Sequence, residues 1–363
     1  TDLIPLWGAD MDFATAPFVT DAIRKRCENE VLGYTGKPDS YYNAIINWVK
    51  QRYDLIVTKE VINFVPGIVP GIGMAMNCFT QKGDKVMIQP PVYHHFAWVT
   101  TRNERTLVIN PLKWENGMYR MDLDAFREQI KGCKLFILCN PHNPGGVVWT
   151  EAELRAIADI CYDEKVLVFS DEIHADLTLP PHTHRPFATV SEKARMNSVT
   201  FMSPSKAFNM PGLSASHALI FNEDLRKRFR IYMDAGELDM GHVFAFLSVE
   251  AAYSHGTEWL DQCLAYIQGN IDFVDEFLKK HAPKIKAIRP EASYLVWLDC
   301  RELELTQKDL NEFFVDKAHL ALNDGEMFGK EGIGFMRLNV ASPRCIIEKA
   351  MKQLADAYQL YIK

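Results

Sequence analysis

The middle of this chain is a series of short apolar runs, each closed by polar or glycine-rich residues, and that pattern narrows the possible folds more than any other feature. The runs are Lys85 to Gln89, Thr106 to Ile109, Leu135 to Cys139, Val166 to Ser170, Ser198 to Met202 and Ala218 to Phe221. They read as strands, and the most apolar of them as strands buried on both faces. Between two of them, Thr150-Glu151-Ala152-Glu153 forms a capping box, with Leu154, Ile157, Ala158 and Cys161 at helical spacing behind it. Strands alternating with helices predict an α/β fold with a largely parallel sheet covered on both sides. The loops that follow the strands should then gather along one edge, where such sheets bind their ligands.

The two ends of the chain read differently. Ile4 to Phe13 is an extended, glycine-punctuated segment, Ala16-Pro17 starts a helix through Arg26, and a second helix runs from about Ser40 to Gln51. Val65-Pro66-Gly67-Ile68-Val69-Pro70-Gly71 follows a short strand and leads into an apolar helix ending at Phe79. Glycines just ahead of a helix leave N–H groups free for an anion such as phosphate. Past Gly241 come two long helical stretches, Val243 to Tyr253 and Trp259 to Lys280, the second expected to be capped by Thr257. Strands at Lys286 to Ile288, Tyr294 to Leu298 and Gly334 to Val340, a helix behind Thr306 and a last helix capped by Ser342 compose a second, α+β unit. The expected division is a large domain over 30–258 and a small one built from both ends, 1–29 and 259–363.

With 40 basic against 47 acidic residues and a net charge of −7, the chain has no basic footprint for a phosphate backbone, so no nucleic-acid partner is expected. A small-molecule substrate is. The eight cysteines, at 27, 78, 133, 139, 161, 263, 300 and 345, include no C-x-x-C pair and no zinc-ligand spacing. They read as buried thiols of a reducing, cytoplasmic protein. No uncharged run approaches a membrane span and no signal peptide is visible. The chain starts at Thr1 without methionine, which reads as a natural N-terminus partly missing.

Five stretches carry the chemistry. Ser203-Pro204-Ser205-Lys206 follows a buried strand, which puts a lysine on the turn at the strand's end, flanked by two hydroxyls. An amine so placed suits Schiff-base formation. Asn140-Pro141-His142-Asn143, Ser170-Asp171-Glu172-Ile173-His174 and Pro90-Pro91-Val92-Tyr93 follow three more buried strands, and Phe335-Met336-Arg337 lies in the C-terminal unit. Polar residues at the ends of several buried strands describe a site, not a core.

In the order and content of these motifs, from Trp7-Gly8-Ala9-Asp10-Met11-Asp12-Phe13 to Arg337 and Ser342-Pro343-Arg344, the chain resembles fold-type I pyridoxal-phosphate (PLP) enzymes of the class I/II aminotransferase superfamily. Within them it is most similar to the cystathionine β-lyase or C–S lyase subgroup. The resemblance implies a large domain whose mostly parallel seven-stranded sheet lies between helices, a smaller α+β domain, and a homodimer with shared active sites. Lys206 is then the Schiff-base lysine and a proton carrier, and Asp171 keeps the pyridine nitrogen protonated so that the ring acts as an electron sink. Asn143 bonds the ring's phenolic oxygen, and His174 either supports it or is a core histidine. Tyr93 stacks on the ring and acts as acid or base. The phosphate rests on the amides of Ile68 and Val69 with the hydroxyls of Ser203 and Ser205, and Tyr34 reaches it from the neighbouring subunit. Arg337 clamps the substrate's α-carboxylate, a task suited to its two-pronged donor geometry.

Three positions depart from the pattern. Ser214 stands where many aminotransferases carry an arginine, Gly145 replaces a common threonine, and His94 and His95 are either substrate contacts or surface residues. The implied activity is β-cleavage of cysteine conjugates to thiol, pyruvate and ammonia. Its rivals are transfer of an amino group to a 2-oxo acid, and a PLP-binding protein that acts by sequestering a transcription regulator.

Overall fold

The computed structural model describes residues 2–361. Its centre is a seven-stranded sheet in the order Ile62–Val65, Ser216–Leu219, Ser198–Met202, Leu167–Asp171, Cys133–Cys139, Lys85–Ile88, Thr106–Ile109. Only Ser216–Leu219 runs against the rest, pairing antiparallel on both sides. The predicted strand at Ala218 to Phe221 therefore starts two residues earlier and closes at Leu219.

The alternation of side chains along Cys133–Cys139 shows why the sheet must be covered twice. Leu135, Ile137 and Cys139 pack into one apolar cluster with the helix Ile68–Phe79, while Phe136 and Leu138 pack into another with the helix Glu151–Asp163. From Leu135 to Cys139 neither face meets water, so this part of the strand is apolar throughout instead of alternating, and only Lys134 near its start is exposed. The helix Glu151–Asp163 begins as expected: Thr150 Oγ1 accepts the Glu153 N–H at 3.2 Å, and the Glu153 carboxylate accepts the Thr150 N–H at 2.9 Å.

The C-terminal unit holds a four-stranded antiparallel sheet, Lys286–Ile288, Leu295–Asp299, Phe335–Asn339 and Asn323–Asp324 in that order. The start of the chain joins it, since Ile4–Pro5 pairs in parallel with Leu320–Ala321. Helix Pro17–Cys27 then packs against Val243–His255.

Two expected caps are corrected. The long helix runs Thr257–His281 with Gly256 at its cap position and no side-chain cap bond, so Thr257 lies inside the first turn. Ser342 precedes Arg344–Tyr361, but its buried hydroxyl bonds no helix N–H. The turn there is closed by the Pro343 carbonyl instead, which accepts from the Ile346 N–H at 2.8 Å. Thr306 does cap its helix, accepting from the Asp309 N–H.

Because the Thr150 cap is exposed, bonds only within its own helix turn and does not line the cavity at the strand ends, Thr150→Ala should lower stability by about 1 kcal/mol in denaturant unfolding. Ligand binding at the strand ends should be unchanged.

Candidate active site

A cavity of about 220 Å³ opens at the carboxyl edge of the parallel strands. Every strand but Thr106–Ile109, at the far edge, delivers one part of it. Gly67, Ile68 and Val69 follow Ile62–Val65, Tyr93 follows Lys85–Ile88, and Cys139 and Asn143 close Cys133–Cys139. Asp171, Ile173 and His174 end Leu167–Asp171, Ser205 and Lys206 follow Ser198–Met202, and Ser214 to Ser216 enter the antiparallel strand.

The helix at Ile68 starts on Gly67, whose φ of 130° is open to glycine and strained for other residues, and no side chain caps it. Ile68 and Val69 line the cavity, and as first-turn residues their N–H groups have no intrahelical partner, a setting that suits an anion.

Lys206 is largely buried, and its Nζ donates to the Ala9 carbonyl at 2.6 Å. Burial pulls its amine below the ordinary lysine range; the Asp10 carboxylate opposes this, the Arg337 guanidinium adds to it and Asp171 opposes it. A lysine so placed loses its proton more readily than one in water. Asp171 Oδ1 accepts the Ile173 N–H at 3.1 Å. Burial lifts its carboxyl to about 7, with the Ile173 bond lowering it, Glu172 raising it and Lys206 lowering it. A cationic group beside Asp171 would restore its charge.

Tyr93 keeps its proton: burial first, and Asp171 next, push its phenol up to about 12, against a smaller pull from Arg337. Burial, Lys206 and Arg337 together hold His174 neutral by lowering it to about 3. Its Nδ1 is buried without a partner.

Arg337 reaches the site from the C-terminal sheet. Its guanidinium donates to Asn143 Oδ1 at 3.0 Å, to the Trp7 carbonyl at 3.1 Å and to Asn323 Oδ1, while its buried Nε has no partner among the described residues. Burial lowers it to about 10, with Tyr93 and Tyr294 opposing, so it stays charged at neutral pH. The Phe328 ring lies under it, 4.8 Å from centroid to guanidinium carbon.

Eight of the sequence-derived residues thus meet around one cavity: Ile68, Val69, Tyr93, Asn143, Asp171, His174, Ser205 and Lys206. Arg337 stands behind Asn143 and joins them through it. Ser203 is placed apart from them: its hydroxyl donates to the Ala215 carbonyl at 2.7 Å and accepts the Ser205 N–H at 3.1 Å, so it braces the turn and is not among the residues lining the cavity. Tyr34 is 99% exposed and touches none of these groups within one chain. His94 and His95 are neither surface residues nor cavity walls; they are partly buried in an aromatic stack in which the His95 ring lies 4.7 Å from Tyr93. Among the cysteines, Cys27 and Cys345 are exposed where buried thiols were expected, and all eight are free.

Sequence reasoning missed the strap Trp7–Phe13 as a wall of the site. The Ala9 carbonyl accepts from Tyr294 Oη at 2.7 Å as well as from Lys206. Asn339 Nδ2 holds the Gly8 and Asp10 carbonyls at 2.6 Å each, and Asn209 Nδ2 holds those of Met11 and Phe13 at 2.9 and 2.7 Å. The signal available was Gly8, Asp10 and Asp12 alternating with apolar residues before the first helix. Nothing in the sequence alone marked Asn323 or Tyr294.

Residues 1–354 match the family model for aminotransferase class I and II. Cystathionine beta-lyase PatB of Bacillus subtilis is 37% identical over 98% of this chain and 93% of its own length. Among solved structures, a PLP-bound putative aminotransferase from Clostridium difficile is 40% identical with a TM-score of 0.96, covering 98% of this chain and 92% of that one. Cystalysin from Treponema denticola, which contains a pyridoxal 5'-phosphate cofactor, is 34% identical with a TM-score of 0.97, covering 100% and 92%.

The raised Asp171 carboxyl has a thermodynamic consequence in the cofactor-free protein. Its pKa is about 7 when folded against 3.8 ordinarily, so the folded chain keeps a proton that the unfolded chain releases. That site's contribution to stability therefore falls as pH rises from about 4 to about 7. Asp171→Asn should be nearly neutral in denaturant unfolding at pH 4 and stabilising at pH 8, by up to about 4 kcal/mol. The same effect at both pH values would contradict this assignment.

Proposed function

The chain belongs to the aminotransferase class I and II family, and we propose that within it the protein is a PLP-dependent carbon–sulfur β-lyase of the cystathionine β-lyase type. The observation that carries the reading is the full-length likeness to a named cystathionine beta-lyase, joined to a cavity whose residues suit that chemistry.

The residues fit PLP on three counts. An uncapped helix start offers free N–H groups to a phosphate, a buried carboxyl stands where a cationic ring nitrogen would keep it ionised, and a largely buried amine with a lowered pKa awaits an aldehyde. Lys206 would hold the aldehyde carbon, Asp171 the ring nitrogen, Asn143 the phenolic oxygen through its free NH₂ group, and Tyr93 one ring face. Ile68, Val69 and Ser205 would hold the phosphate; His174, neutral and short of one partner, would support the ring oxygen's side. When bound, the cofactor supplies an electron sink conjugated to the substrate's Cα.

The chain's own groups do the rest. Arg337, charged and with its Nε unspent, receives the α-carboxylate and so fixes which Cα bond faces Lys206. The Lys206 amine takes the Cα proton at Nζ, helped by the burial that disfavours its charged form. Loss of the Cβ–S bond needs a proton at sulfur, which Tyr93 Oη or the protonated Lys206 Nζ can deliver. With water added, a cysteine conjugate yields a thiol, pyruvate and ammonia.

The reading extends to assembly and setting. Two copies of the chain form the working unit, with Tyr34 completing its neighbour's phosphate seat; the exposed Val31, Leu32 and Tyr34, at 71, 61 and 99%, support a covered surface there. The chain acts as a large unit over 30–258 and a smaller one from 1–29 and 259–363, with Arg337 bridging them. Eight unpaired thiols suit the reducing cytoplasm.

The purified, PLP-loaded protein should release pyruvate from cystathionine, and Lys206→Ala should cut that rate by about 10³-fold or more. Borohydride reduction followed by peptide mapping should place the label on Lys206. Absence of pyruvate, with an amino group passed to a 2-oxo acid instead, would replace the lyase by an aminotransferase.

A further inference from the structure

Directly behind Asp171 lies a buried polar cluster that the proposed chemistry does not use. Glu172, the next residue, turns away from the cavity, and three donors converge on its carboxylate. Ser170 Oγ donates to Oε1 at 2.8 Å, the Phe187 N–H to Oε1 at 2.8 Å, and His184 Nε2 meets Oε2 at 2.7 Å. Both side chains of the Glu172–His184 pair are excluded from water, at 0 and 1% exposure. The cluster ties the end of the strand Leu167–Asp171 to the segment 184–187, which no backbone ladder joins to that strand.

Burying two acids in succession is costly unless a partner offsets one of them. Asp171 and Glu172 are both buried, and Glu172 acts on Asp171 as a like charge. We propose that His184 is a positioning residue that acts through Glu172: the pair pins the strand end on which Asp171 stands and gives the buried acid beside it a fixed partner. This rests on the reading of Asp171 as the partner of a cationic ring nitrogen. On the cavity side Asp171 faces Lys206, with Tyr93 and Cys139, both held protonated by burial, coming from two other strand ends. Behind the pair, His184 faces Asp176 and, edge-on at 5.5 Å, the ring of Tyr53, whose hydroxyl donates to Asp176.

The like-charge contact between Glu172 and Asp171 gives the sign of each effect. Without His184, the Glu172 carboxylate loses the partner at Oε2 and acts more fully on Asp171, favouring its protonation, so activity should fail at a higher pH on the acid side. Without the Glu172 charge the acid limb should move down. Four cofactor-loaded proteins test this: wild type, H184Q, E172Q and E172Q/H184Q. They are compared by the acid limb of kcat/KM for pyruvate release from cystathionine, and by PLP affinity from absorbance on adding PLP to stripped protein. H184Q is expected to raise the acid limb by about one pH unit and weaken PLP binding about tenfold. E172Q should lower the limb, and the double variant should return both readouts close to wild type. Acid limbs in H184Q and E172Q that coincide with wild type overturn the proposal, as does a double variant worse than H184Q. Should H184Q fail to fold by circular dichroism, E172Q alone decides by the direction of its limb. D171N separates the two layers. If it keeps wild-type PLP affinity and activity, the reading of Asp171 fails and the pair's role with it; if it is inactive while H184Q and E172Q behave as wild type, only the role of the pair fails.

Discussion

Covering a parallel sheet on both faces leaves polar chemistry one place to go. With Leu135, Ile137 and Cys139 packed under one helix layer and Phe136 and Leu138 under the other, a functional side chain on these strands can reach a ligand only at the strand's last residue or beyond it. Six of the seven strands run the same way, and the seventh, Ser216–Leu219, enters at that same edge. The cavity is the consequence of that geometry: every strand but the far edge one contributes to its wall.

What keeps the site workable is a balance among charges that would each be unfavourable alone. Asp171 and Lys206 are buried near one another, and each opposes the shift that burial imposes on the other. Arg337 is buried too, but it spends its hydrogen bonds on Asn143, Asn323 and the Trp7 carbonyl and rests on the Phe328 ring. A charge so surrounded is held in place before any ligand arrives, which reduces the ordering left to be done on binding. The neutral His174 and the protonated Tyr93 add polar atoms without adding charge.

The strap from Trp7 to Phe13 couples the two halves of the chain. It is bonded to Asn209 in the loop beyond Lys206, to Arg337 and Asn339 in the C-terminal sheet, and to Lys206 itself through Ala9. A displacement of the C-terminal sheet would therefore be felt at both Lys206 and Arg337. That coupling needs no long-range relay, because one extended segment touches both.

The sequence by itself determined the sheet and which polar residues stand at its strand ends. Apolar runs and capping signals are local, and a lysine, an aspartate and an asparagine after consecutive buried strands can only converge if the strands are parallel. Thr150 with Glu153 shows the same point on a smaller scale, since a cap is decided within four residues. The tertiary structure alone decided what each side chain spends its hydrogen bonds on. Ser203 and Ser205 are alike in sequence, yet only the second faces the cavity, because the Ala215 carbonyl, twelve residues on, captures the first. Asn323, Tyr294 and the Ala9 carbonyl, together with the His184 partner of Glu172, were invisible beforehand for the same reason. Their roles come from contacts between segments far apart in the chain, and such contacts leave no periodic or compositional trace.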